Sequence, residues 1–377
     1  MDPACQRTLC QLVQSAPAHV YADLFSLLAE TAALPNPKDL LASLPLEHQV
    51  AALQGARLNP APWCCRHEQA CPCPVPDLDC TGTPCQDFSP VGSRKGPHGP
   101  QMCVFLAWCR VVILRAVPML LHENVPAFWV SLLEEHLGSA YIIYSFVVDC
   151  RDLGFQLINR RRRYTILYHR SKVRVVWDPF RMYSLLSARL LLHGGTRVQD
   201  CCLADMHELV EEVREQAARR RVPLERIFDF ACMRPVGMRL LLSNGECQRL
   251  RHYSRQWQLR FHQDARDCPW AVFNLADNPG SGRFTWSAAS QAIPGLRTNA
   301  GKLWMPALGR WLTCKELLAA MGLPVYPVLA HAAGVPLVEV RPGREARHML
   351  GNMMHAATCG VLQLVALACA APAPAPA

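Results

Sequence analysis

The chain has 377 residues, 51% of them hydrophobic and 18% charged, with 39 basic against 30 acidic side chains for a formal net charge of +9. That apolar share excludes a chain disordered throughout, and the length suffices for one large domain and a smaller one. The basic excess suits a polyanionic partner, while 19 cysteines in a chain that opens with no basic, long-apolar leader over Met1–Leu12 point to free thiols in a reducing compartment rather than a disulfide framework.

Residues 17–28 read as a short strand ending at Asp23, and residues 38–55 carry apolar positions at helical spacing. Leu58 to Asp77 is rich in Pro and Cys and reads as loop. A short strand over Asp77–Cys80 runs into the turn Thr81-Gly82-Thr83-Pro84-Cys85-Gln86, and Ser89–Pro100 is a Gly/Pro/Ser loop with Arg94 and Lys95. A helix over Gln101–Ala116, a strand over Pro118–Glu123, a helix over Pro126–Leu137, and strands over Tyr141–Asp149 and Arg163–Tyr168 follow. Alternating strands and helices predict a parallel sheet covered on both faces.

From Ser171 to about Arg310 the pattern turns irregular, with a charged amphipathic helix over Met206–Arg220 and five tryptophans (177, 257, 270, 286, 304). This is the expected second, smaller domain. Helical patterns return at Leu312–Met321 and Met349–Ala368, before an Ala-Pro tail. Two apolar runs are interrupted: Met102–Leu121 by Arg110 and Arg115, Met349–Ala371 by Asn352, His355 and Gln363. Both are expected to be buried helices rather than membrane spans.

The strongest chemical signal is Gly82-Thr83-Pro84-Cys85-Gln86-Asp87-Phe88-Ser89-Pro90-Val91-Gly92, then Lys95-Gly96. A cysteine just past a parallel strand stands where doubly wound folds place ligands. Arg94 and Lys95 nearby would favour its thiolate, the nucleophilic form; for any one cysteine among 19, the plain alternative is a buried, inert thiol. Glu123-Asn124-Val125 also follows a strand, so Glu123 and Cys85 are expected at the same edge of the sheet. The arginine run Asn159-Arg160-Arg161-Arg162-Arg163-Tyr164 would by itself suit phosphate.

Together these blocks resemble the DNA (cytosine-5)-methyltransferase family. The first is similar to its Pro-Cys-Gln block (motif IV) and the second to its Glu-Asn-Val block (motif VI). The third resembles Gln-x-Arg-x-Arg followed by an aromatic (motif VIII). With Tyr164 as that aromatic, Arg160 and Arg162 match and Ile158 replaces the Gln; shifted by one, Asn159, Arg161 and Arg163 match. Trp311–Pro324 resembles motif IX, and Gly351-Asn352-Met353-Met354 resembles motif X.

The resemblance implies that Cys85 attacks carbon 6 of a cytosine and that Glu123 contacts its N3. It makes Pro84, Gln86 and Ser89 part of the loop that closes on the substrate, with Asn124 bracing that loop and Arg160 and Arg162 holding the base. It also implies S-adenosyl-L-methionine as cofactor, DNA with a cytosine flipped from the duplex as partner, and a nuclear location. No membrane association and no obligate protein partner are expected. The family's donor turn, Phe-x-Gly-x-Gly, is not found before Cys85, and Gly280-Ser281-Gly282 stands in the wrong place. His19-Val20-Tyr21-Ala22-Asp23 looks like the family's third-motif strand, leaving Asp23 and Asn352 as the cofactor-side residues; for Asp23, capping the next helix is an equal alternative.

The expected fold is therefore α/β: the Rossmann-like sheet of S-adenosylmethionine-dependent methyltransferases, N-terminally incomplete, with an inserted target-recognition domain. The expected boundaries are 1–170 for the core, 171–310 for the insert, 311–370 for the return to the core and 371–377 for a disordered tail. A catalytically dead homologue that binds DNA, or an RNA cytosine methyltransferase, are the rival readings. Cys64, Cys65, His67, Cys71, Cys73 and Cys80 crowd one stretch, but their spacing is irregular and a reduced Cys-rich loop is preferred to a zinc module, so no metal ligand is assigned.

Overall fold

A computed structural model of the chain describes residues 19–32, 34–90, 92–193, 195–282, 284–297, 301–340 and 350–374. The readings of Met1–Leu12, Met349 and the last three residues lie outside them. The chain divides into two compact units, 1–148 with 161–186 and 359–377, and 149–160 with 187–358. The expected boundaries therefore move. Residues 311–358 stay with the second unit because Leu312, Leu317, Leu318 and Met321 pack with Ile158, Val272, Ile293 and Leu303.

In the first unit, β1 (Trp63–Cys64) and β2 (Gln69–Ala70) form a small antiparallel hairpin. The main sheet holds β3 (Leu78–Gly82), β4 (Met119–Asn124), β5 (Tyr141–Asp149) and β6 (Arg161–His169) in the order β3-β4-β6-β5. β3 runs parallel to β4, but β6 runs antiparallel to it. The sheet is mixed α/β, not all-parallel. The connection after β5 carries only a 3-10 turn at Cys150–Leu153, and a parallel return needs a crossover of a dozen or more residues.

Every residue of β4 is buried, as its unbroken Met-Leu-Leu run implies for a central strand. The helix Met102–Leu114 (α3) is apolar on nearly all sides and buries nine of its side chains. It packs with Phe25, Leu53, Leu120, Leu133 and Leu167 in one core. Ahead of it, the predicted helix over 38–55 is two helices, α1 (Pro37–Ala42) and α2 (Leu46–Gln54), separated at Pro45, whose ring disfavours helical continuation. The predicted strand ending at Asp23 is not formed. Only an isolated bridge joins Tyr21 to Cys64, and a 3-10 turn follows at Phe25–Leu27.

The C-terminal helical pattern breaks at Met353–His355 and resumes as a helix over Ala356–Ala368. His355 Nδ1 accepts from the Thr358 backbone N–H at 3.1 Å, capping that helix. Leu350–Ala368 has the length and apolarity of a membrane span. Yet Leu362, Val365 and Ala366 are buried, and Tyr168 Oη donates to the Ala366 carbonyl at 3.0 Å. Ala371 and Pro372, expected in a disordered tail, instead belong to a strand, Ala370–Pro372, paired with Val173–Val175. The helix, buried along one face at Leu362, Val365 and Ala366, delivers the chain alongside that strand.

The second unit contains the amphipathic helix Met206–Arg220 and a helix over Asn244–Phe261. Tyr253, Trp257, Phe273, Trp304 and Trp311 fill its core. Trp177, expected with them, belongs to the first unit and is 66% exposed. Helix Cys314–Ala320 starts with a capping box between Thr313 and Glu316. Glu316 also takes a bidentate pair from Arg310, both bonds 2.7 Å and both side chains buried.

Candidate active site

β3 and β4 lie side by side in parallel with Gly82 opposite Glu123. Neighbouring strands are about 4.8 Å apart. Cys85, three residues past Gly82, and Glu123 therefore leave the sheet at the same end. Cys85 is half-buried, and its carbonyl accepts from the Phe88 and Ser89 amides at 3.0 and 2.8 Å, turning the chain at once.

The segment before Cys85 is held from β4. Asn124 Nδ2 donates to the Thr83 carbonyl at 3.2 Å and to Thr83 Oγ1 at 3.0 Å, while Asn124 Oδ1 accepts from the Val125 amide at 2.8 Å. Since Thr83 Oγ1 accepts from Asn124, its own proton goes to His122 Nε2, 2.7 Å away. His122 is wholly buried and stacked on Trp108 at 5.0 Å. Burial lowers its pKa to about 3, so the ring is neutral.

The loop after Cys85 is built on Asp87. Its buried carboxylate accepts from Ser93 Oγ at 2.6 Å and from the Gln101 amide at 2.9 Å, and its carbonyl accepts from the Gly96 amide at 2.9 Å. Gly92 lies so close to Gln86 that a Cβ would sit 1.9 Å from the Gln86 carbonyl oxygen, so the position admits no side chain without a backbone shift. Phe88 packs on Phe128 at 4.9 Å and anchors the turn in the core. Pro84 and Ser89 are half-buried and Gln86 is exposed. Arg94 faces the Pro90 carbonyl, 2.9 Å from its Nε.

Glu123 is 11% exposed at its side chain and pairs with Arg162, whose Nε lies 3.2 Å from Oε1. Of the arginines in the run, Arg162 is thus the one that faces Glu123. Arg163, on the other side of the pleat, donates instead to the Pro126 carbonyl and Ser145 Oγ. Tyr164 pairs with Glu123 across the strands and is buried. Arg160 belongs to the second unit, where it is buried and donates to the Met353 carbonyl. Asn352 is in that unit too, exposed at its side chain. Asp23 is exposed in the first unit and caps a turn, accepting from the Ser26 amide at 3.1 Å.

Three buried polar residues escaped the sequence reading: Thr83, Asp87 and His122. Each stands inside or beside a recognised block, and each works through a partner that no spacing rule names.

Residues 67–188 match the C-5 cytosine-specific DNA methylase family. The matched segment holds Cys85, Glu123, Asn124 and Arg162. No curated protein matches the chain. Among solved structures it is similar to the Schizosaccharomyces pombe Dnmt2 methyltransferase at 13% identity and a TM-score of 0.37, over 87% of this chain and 81% of that one. It is similar to the Entamoeba histolytica methyltransferase EhMeth at 11% identity and a TM-score of 0.39, over the same shares. A Spodoptera frugiperda DNMT2 mutant matches at 14% identity and a TM-score of 0.35, over 77% of this chain and 79% of that one.

S-adenosylmethionine is the methyl donor of this family. A cavity of about 910 Å³ opens beside Pro84, lined by Asp23, Phe25, Lys38, Asp39 and Val104 among others. Its size and its mix of apolar wall with carboxylates fit a nucleoside-sized cation. Asp23 is on that wall without the strand that was expected to carry it.

Proposed function

We propose that the chain methylates carbon 5 of cytosine in DNA through a covalent bond from Cys85. The carrying observation is the parallel β3–β4 pair, which brings Cys85 and Glu123 to one end of the sheet with Asn124 bracing the approach to Cys85. The Cys85 sulfur adds to carbon 6, forming an S–C bond and pushing the ring electrons towards carbon 5. Glu123 holds a proton at N3 as that charge develops. Arg162 compensates the Glu123 carboxylate and fixes its direction. S-adenosylmethionine, when bound, supplies the electrophilic methyl group; Asp23, Asp39 and Phe25 would hold it beside Pro84. A base, for which water suffices, then takes the carbon 5 proton; the freed electron pair re-forms the ring's 5,6 double bond as the S–C bond breaks and Cys85 leaves as thiolate. The cytosine must leave the stack for both faces to be reached. Arg160 as a base-holding residue, Asn352 at the donor and a nuclear location remain part of this proposal.

The test is tritium transfer from labelled donor to cytosine-containing duplex DNA and, in parallel, to structured RNA. Transfer to DNA that Cys85→Ser abolishes, with Arg162→Leu reducing it at least about tenfold, supports the reading. Transfer to RNA alone overturns the choice of substrate. Transfer to neither, with the chain folded, overturns the activity.

A further inference from the structure

Apart from the residues given a role in the reaction, His19, Cys64, His67 and Cys71 each offer one ligand atom, and the four atoms lie within 4.8 Å of one another. Cys64 Sγ is 3.6 Å and Cys71 Sγ 3.5 Å from His67 Nδ1. Tetrahedral zinc, with Zn–S of about 2.3 Å and Zn–N of about 2.05 Å, requires an S···N edge of about 3.5 Å. The two measured edges match that geometry.

The surroundings are those of a metal site. Both sulfurs belong to buried residues. His19 Nδ1 is buried and has no hydrogen-bond partner among the described residues. The Val20 amide donates to Cys64 Sγ at 3.4 Å, the kind of backbone N–H that orients a ligating thiolate. Cys64 lies on β1, His67 in the turn and Cys71 just past β2. Strands of two residues each cannot sustain a hairpin by themselves. The hairpin is nonetheless joined to a segment far off in the chain, through the Tyr21–Cys64 bridge and the Cys65 amide on the Val20 carbonyl at 2.7 Å.

We propose that His19, Cys64, His67 and Cys71 bind one zinc ion, a structural Cys2His2 centre that ties the His19–Tyr21 segment to the β1–β2 hairpin. The site is closed: all four positions are taken by protein, so it holds structure and does not activate water. His19, Val20 and Tyr21 also line the cavity beside Pro84, so the metal fixes that wall. The proposal stands without the methyltransferase reading. Sequence spacing alone could not reveal it, because the fourth ligand is His19 and not one of the neighbouring cysteines.

The full chain, expressed with zinc and dialysed, should retain about one zinc per chain by elemental analysis. The double variant Cys64→Ser/Cys71→Ser and the single variant His19→Ala should lose it, while Cys73→Ser keeps it. In case the variants fail to fold, cobalt substitution of the unmodified chain provides a second reading: intense visible bands of a tetrahedral ion with thiolate charge-transfer absorption. Zinc retained by the double variant, an octahedral cobalt spectrum, no bound metal in the unmodified chain, or a Cys64–Cys71 disulfide in its place would each overturn the proposal.

Discussion

Replacing Asn124 with alanine removes two bonds donated to Thr83 and one accepted from the Val125 amide, all among buried atoms. Each neutral hydrogen bond contributes about 1 kcal/mol net, so the loss should be about 3 kcal/mol. The Val125 amide and the Thr83 carbonyl, left buried without water, push the figure upward rather than down. Thr83→Val removes the hydroxyl shared by Asn124 and His122 and should cost about 1–2 kcal/mol by itself. If Asn124 acts through Thr83, the double variant should cost less than the sum, with a coupling of about 1 kcal/mol. Denaturant unfolding of the four proteins measures the coupling. Activity should fall more than stability implies, because a shift of about 1 Å in the Cys85 segment costs about 100-fold in rate. Tritium transfer under conditions where Asn124→Ala is fully folded reads that part. Additivity within about 0.3 kcal/mol, together with unchanged transfer, would refute the claim that β4 positions Cys85 through Thr83.

His122 is held neutral by burial, with its pKa lowered to about 3 from 6.5. Unfolding lets it take up a proton, so its contribution is fully present above pH 6.5 and is lost as pH falls towards 3. Between pH 7 and pH 5 that amounts to about 2 kcal/mol, and His122→Gln should flatten the dependence; an equal pH slope in both proteins would count against it. Cys80 is exposed, and a hydrogen bond from Cys359, aided by Gln363 Nε2 at 2.8 Å, lowers its thiol to about 7 against the opposing effect of burial. Its alkylation by iodoacetamide should therefore titrate near pH 7 and move upward in Gln363→Leu, whereas a midpoint near the ordinary thiol value would contradict the contact. Breaking the buried Arg310–Glu316 pair by Glu316→Ala should destabilise the second unit by about 3–5 kcal/mol, since it strands a buried guanidinium; a change under about 1 kcal/mol in thermal or denaturant unfolding would show that Arg310 finds another partner.

The strands and turns that carry the first unit's candidate site were legible in the sequence because they are written locally. Glu-Asn-Val follows an apolar run that reads as a strand, Gly-Thr-Pro-Cys-Gln follows a shorter strand reading, and the Met-Leu-Leu run of β4 and the largely apolar Met102–Leu114 announce burial. Period and turn residues carry that much, since backbone geometry depends on near neighbours. What the sequence left open depends on partners distant along the chain. Which arginine faces Glu123 is one such point: across the sheet Arg162 pairs with it, while Arg163 goes to Pro126 and Ser145. The reversal of β6, the return to the first unit at Cys359, and the roles of Thr83, Asp87 and His122 likewise rest on packing and on buried hydrogen bonds. His19 is the extreme case: nothing near it in sequence marks it, and only the fold brings it to Cys64, His67 and Cys71. A buried polar group must find its partner wherever the chain supplies one, and that choice is made in three dimensions.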